Sequence, residues 1–203
     1  MADRIMVVRH AEKPNVPPPI FGVDINGNQD PESLIVRGWQ RAGALAVLFS
    51  KTGAPTREHL AVPATIYATK THTHSLRPQQ TVSAIAALLG LAEDLEFKTG
   101  QETCLAKSAD AAADPVLIGW HHEAIPALAN AILGDETTAP QKWPGDRFDM
   151  IWVFVRKNGK WNFHQVPQLV LAGDSDQPIP PAPAGAPSAT ASAAAAAEAL
   201  NGD

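Results

Sequence analysis

Short β-rich apolar runs alternate with amphipathic stretches through the first 175 residues. That alternation restricts the chain to few architectures. "RIMVVR" (4–9), "ATIYAT" (64–69) and "PVLIGW" (115–120) read as strands, and "DLEFKT" (94–99) as a weaker one. "VRGWQRAGALAVLFSKTG" (36–53) carries Leu45, Leu48 and Phe49 at helical spacing and stops at Gly53. "RPQQTVSAIAALLG" (77–90) predicts a helix with Pro78 in its first turn and Gly90 as its cap. "EAIPALANAILG" (123–134) predicts another, facing inward through Ile125, Leu128, Ala129 and Ile132. A final hairpin spans 148–166 and turns at Asn158-Gly159, a dipeptide that supplies positive φ at low cost. The expected fold is α/β, a three-layer α/β/α sandwich around a mostly parallel central sheet.

Composition changes near residue 176. Residues 176–203 are almost all Ala, Pro, Ser and Gly with no aromatic side chain, so they bury too little apolar surface to offset ordering entropy. The expectation is a catalytic domain over 1–175 and a disordered tail over 176–203. A net charge of −5 argues against a general nucleic-acid partner. The single cysteine, Cys104, excludes an internal disulfide and a multi-cysteine zinc site. "MADRIMVVRH" has charges too early and an apolar run too short for a signal peptide, and no run approaches a membrane span of about 18 apolar residues. The chain reads as soluble and cytoplasmic, without a membrane partner.

In parallel sheets, ligands bind beyond the carboxyl ends of the strands. The first such end here carries Arg9-His10. The second leads to Arg77 at a helix start, and the third to His121-His122-Glu123 at another. Two arginines with planar donor forks, helix N-termini and histidines make a place for a phosphoryl group. Metal binding is the competing use of the histidines. The adjacent rings at 121–122 need not converge, the H-E-x-x-H spacing is absent, and two arginines would repel a dication. His59, His72, His74 and His164 read as surface or satisfied core residues. The loop "GVDINGNQD" (22–30) fails the EF-hand pattern and reads as a solvated turn.

Three segments carry a resemblance to the histidine phosphatase superfamily, which includes cofactor-dependent phosphoglycerate mutases and many phosphatases. "VVRHAEKP" (7–14) resembles its Arg-His-Gly-Glu signature, with Ala11 in place of the glycine. "SLRPQQT" (75–81) resembles its Arg-x-x-x-Thr segment through Arg77 and Thr81, and "LIGWHHEAIPAL" (117–128) its second histidine motif. "SLIVRGWQRAGALA" (33–46) also looks like its entry to the first helix. The resemblance spans about 3–175 and implies a phosphoglycerate mutase-like fold. It implies His10 as a nucleophile that becomes phosphorylated, with Arg9 and Arg77 holding phosphoryl oxygens. The second pocket histidine is His122, which fits the "WHHEAIP" register, or His121. The proton donor is Glu123 by one branch of the family and Glu102 by another.

The residues suggest chemistry that needs no cofactor. His10 must be neutral to attack phosphorus, and the neighbouring arginines disfavour its charged form. Glu12 is expected to orient a ring or a backbone N–H beside the substrate. Lys13, Arg37 and Lys70 are spare cations near the motifs. The leading expectation is a metal-independent phosphomonoesterase acting on a small phosphorylated substrate or a phosphoprotein. The alternatives are a mutase-type phosphotransferase and a phosphate-binding scaffold without turnover. The segment 14–34, with Ile20 and Phe21, is the candidate lid.

Overall fold

The computed structural model describes residues 1–14, 20–69 and 75–181. In chain order the described elements are β1 (Arg4–Arg9), α1 (Val36–Leu48), β2 (Thr65–Ala68), α2 (Arg77–Leu89), β3 (Glu93–Asp94), α3 (Glu102–Ala111), β4 (Val116–Trp120), α4 (Ile125–Leu133), β5 (Met150–Lys157) and β6 (Lys160–Pro167). They build one sheet in the order β3-β2-β4-β1-β5-β6. Its first four strands are parallel, and β5 and β6 add an antiparallel edge. The expected mostly parallel α/β architecture is therefore the one this chain adopts.

Alternation along the strands explains the three layers. Ile5, Val7, Val116, Ile118, Trp120, Trp152 and Phe154 face one side and pack with Leu105, Leu128 and Ile132 of α3 and α4. Met6, Val8, Ile66, Leu117, Ile151 and Val153 face the other side and pack with Leu45, Phe49, Val82 and Ile85 from the α1 and α2 side. Trp120, Trp152, Phe49 and Phe154 are fully buried. Each such side chain stabilises the fold by roughly 1.5–3 kcal/mol relative to exposure.

Several boundaries differ from the sequence expectation. Helix α1 ends at Leu48 rather than running to Gly53, because the Ser50 hydroxyl takes the Val47 carbonyl and accepts the Gly53 N–H, closing a turn. The expected strand over 94–99 is only Glu93–Asp94, because Asp94 Oδ1 accepts the Glu96 N–H and bends the chain away. Helix α3 has no counterpart in the expectation. Its buried stripe is Leu105, Ala106 and Ala109, and the small alanines leave a weak periodic signal. Helix α4 begins at Ile125, so His121, His122 and Glu123 lie in the preceding turn, whose His121 carbonyl accepts the N–H groups of Ala124 and Ile125. Helix α2 ends as expected, with Gly90 at φ 68°. The β5–β6 turn uses Asn158 and Gly159, both at positive φ.

The tail boundary also moves. Ile179 is buried against the core, its N–H donates to Gln165 Oε1, and its carbonyl accepts from Gln165 Nε2. Packed chain therefore continues past residue 175 to about the end of the described segment. Of the disordered tail expected over 176–203, residues 182–203 lie outside the described residues, as do Lys70, His72, His74 and residues 15–19 of the candidate lid. Among the described residues no helix is long and apolar enough to cross a membrane.

Candidate active site

Register places the site. Arg9 at the end of β1 is level with Trp120 at the end of β4, and Ala68 of β2 is level with Gly119. The three parallel strands therefore release Arg9-His10, the approach to α2, and His121-His122 along one edge. Strand β5 is antiparallel to β1, with Val8 opposite Ile151, so the segment entering β5 arrives at this same edge. The segment following β6 leaves from it, since Pro167 pairs with Met150.

His10 is almost fully buried. Its Nδ1 lies 2.8 Å from the Ala11 carbonyl oxygen. An oxygen of that kind only accepts, so the proton sits on Nδ1 and Nε2 keeps its lone pair. Burial, then the neighbouring Arg9 and His121, hold the ring well below the ordinary histidine pKa, and Arg77 acts in the same direction. The rings of His121 and His122 meet His10 edge-on, with centroids at 5.5 and 6.1 Å. His121 is pushed down to about 4, chiefly by burial.

Arg9 is completely buried, and burial lowers it to about 10. Its Nη1 donates to three carbonyls, those of Pro144, Gly145 and Arg147. Its Nε and Nη2 are buried and meet no partner among the described residues. Among the described residues Arg77 is held by one hydrogen bond from Nη1 to the Pro31 carbonyl, and its Nε is also buried without a partner there. Buried guanidinium donors without acceptors are costly. Their arrangement beside a neutral imidazole suits an oxyanion supplied from outside.

His122 Nδ1 lies 2.9 Å from Glu123 Oε2, an ion-pairing distance without the alignment of a hydrogen bond. Burial opposes ionisation of Glu123, but His122, a backbone N–H and His121 outweigh it and lower Glu123 to about 2. Lys13 is exposed and close enough to His121 to disfavour its charged form.

Two expected contacts are replaced by others. Among the described residues Glu12 reaches neither a ring nor a backbone N–H. Its buried carboxylate accepts from Arg41 Nε and Nη2 and from Arg37 Nε, at 2.9–3.2 Å. An α1 bearing two arginines one turn apart captures it, and Arg41 continues to Asp174 and Gln168. Glu102 is buried at the start of α3, where its carboxylate accepts the Trp120 indole N–H and the Gly100 N–H. It is tied to the sheet instead of standing free as an acid. Arg37 likewise joins Glu12 and the Ala172 carbonyl. Asp24 accepts the N–H groups of Asn26 and Asn28, which closes the solvated turn expected at 22–30.

Sequence reading missed the 143–149 segment. Phe148 lies 3.8 Å from the Arg9 guanidinium carbon and 6.2 Å from the His10 ring, so it walls the site. The signal available was topological: a strand antiparallel to β1 must start where β1 ends. Among the described residues no three His, Cys, Asp or Glu side chains converge as metal ligands would.

No family model and no curated protein matches the chain. Solved structures do. A protein described as the phosphohistidine phosphatase SixA from Agrobacterium tumefaciens is 16% identical with a TM-score of 0.47, covering 82% of this chain and 98% of its own. A phosphoserine phosphatase from Entamoeba histolytica, in complex with 3-phosphoglyceric acid, is 13% identical with a TM-score of 0.49, covering 79% and 94%. At such identities and TM-scores the roles of the site residues rest on their own geometry.

Proposed function

We propose that the chain is a phosphomonoesterase of the histidine phosphatase type, working through a phosphohistidine on His10. One observation carries the reading. A buried, neutral imidazole with its Nδ1 proton tied down stands beside two arginines of which Arg9 Nε, Arg9 Nη2 and Arg77 Nε are buried and meet no acceptor among the described residues. A dianionic phosphoryl group satisfies those donors and presents phosphorus to Nε2.

His10 Nε2 attacks phosphorus and the ester P–O bond breaks. Arg9, Arg77 and the second histidine hold the equatorial oxygens. Glu123 orients His122 and, once the phosphoryl dianion lies beside it, its proton affinity rises, so it takes up a proton from solvent and passes it to the leaving oxygen. Water then attacks the phosphohistidine, releasing inorganic phosphate and returning the free ring. Charge on the phosphoryl group is met by guanidinium and imidazole groups, so the proposed reaction proceeds without a metal ion.

The test is phosphate release from an aryl phosphate between pH 4 and 8, with chelator present, for wild type and His10→Ala. Turnover that survives chelator and disappears in His10→Ala, with an acid-labile phosphoenzyme trapped only in wild type, is the expected result. Equal turnover by both proteins would sink the mechanism.

A further inference from the structure

The two segments that pin the arginines also carry carboxylates. Pro31 accepts from Arg77 Nη1, and Glu32 follows it, its own carbonyl accepting the Leu76 N–H. Gly145 and Arg147 both accept from Arg9 Nη1, and Asp146 stands between them, exposed. Among the described residues neither the Glu32 nor the Asp146 carboxylate takes part in an ion pair or a side-chain hydrogen bond. Glu123, more than half exposed, borders the same opening beside His122. These groups reach the site electrically: Glu32, Asp30 and Glu123 act on Arg77, and Glu123, Asp146 and Glu12 act on Arg9. Arg9, fully buried with two nitrogens unpartnered among the described residues, is where the phosphatase reading above seats the phosphoryl group. A cationic floor thus has an acidic rim, with Lys13 as the exposed cation on the His121 side.

We propose that this rim selects phosphomonoesters whose alcohol portion carries a positive charge a few atoms from the phosphate, an aminoalkyl phosphate class, and disfavours substrates with a second anionic group. The inference rests on the phosphatase reading above. Glu32 and Asp146 attract an ammonium group that reaches out past the arginines, and they repel a carboxylate or a second phosphate placed there. Substrates of the mutase type, which present two anions, are disfavoured for the same reason.

Three matched esters test this: 2-aminoethyl phosphate, propyl phosphate and 2-carboxyethyl phosphate. The expected order of kcat/KM is amine over neutral over acid, each step roughly 3- to 10-fold, as for charges about 7 Å apart in a largely solvated opening with an effective dielectric constant of about 40–80. The spread should contract as ionic strength rises, because exposed charges are screened. In the doubly substituted Glu32→Gln, Asp146→Asn protein, the amine-to-acid ratio should fall towards one. Turnover of all three esters with equal or reversed ranking overturns the proposal and leaves the phosphatase reading standing. A ratio unchanged in the folded double variant overturns the assignment to these residues. No turnover of any ester, or of the aryl phosphate, overturns both.

Discussion

The Ala11 N–H donates to Thr81 Oγ1 at 2.8 Å, and that same hydroxyl donates to the Arg77 carbonyl at 2.7 Å. One buried side chain thus joins the residue after His10 to the helix that carries Arg77. Thr81→Val removes the hydroxyl and leaves a buried N–H without a partner. The expected cost is about 1–3 kcal/mol of stability, with a fall in kcat on the order of tenfold as His10 loses its fixed position. Thr81→Ser should restore both. Denaturant melts and aryl phosphate kinetics on the three proteins check this, and a Thr81→Ser protein no better than Thr81→Val would contradict it.

Glu12 and Arg41 form a buried pair at 2.9 Å, with Arg41 also held by Asp174 at 2.7 Å. Removing one partner strands a charge. Arg41→Ala should therefore destabilise by roughly 3–5 kcal/mol. Glu12→Gln, which keeps an acceptor, should lose less. The comparison is made by equilibrium unfolding in urea. A small, equal loss for the two variants would show that the pair is unimportant.

Acid should act on rate and stability through the histidines. His10 is held below 6.5 first by burial and then by Arg9, so it stays neutral and nucleophilic below that pH. The acid limb of the rate profile should consequently fall below pH 6.5, where an unperturbed ring would already be half protonated. For stability, the depressed folded values of His10 and His121, the latter about 4, mean that only the unfolded chain gains those protons as pH drops. Stability should be full above 6.5 and decline from there towards 4, with His164, lowered by burial and His59, contributing in the same sense. Melting temperature measured from pH 7.5 to 4.5 should fall, and less steeply in His121→Asn. A flat profile would contradict these assignments.

Glu123, lowered to about 2, is a carboxylate at neutral pH, paired with His122. If the bound phosphoryl group turns it into the proton donor, its loss must depend on the leaving group. Glu123→Gln should cost about 10²-fold or more with an alkyl phosphate. With nitrophenyl phosphate, whose leaving oxygen needs no proton, the loss should be much smaller. Equal losses with both esters would assign Glu123 to orienting His122 alone.

The strands ending in Arg9-His10 and Trp120-His121, the helix opening at Arg77, and the Asn158-Gly159 turn could all be read from the sequence, because periodicity, caps and turn residues act over a few neighbouring positions. So could the gathering of an arginine-histidine pocket, since parallel strands share their carboxyl ends. Helix α3 could not, because alanines leave little amphipathic contrast, and neither could the burial of Ile179 by Gln165. Only the tertiary structure decided what each charged side chain would touch. Glu12 was captured by Arg41, Glu102 by the Trp120 indole, and Arg9 by three carbonyls of the segment entering β5, with Phe148 laid over it. Those partners lie between 18 and 139 positions away in the chain. Long-range pairing of this kind follows from sheet order and register, which local propensity does not encode.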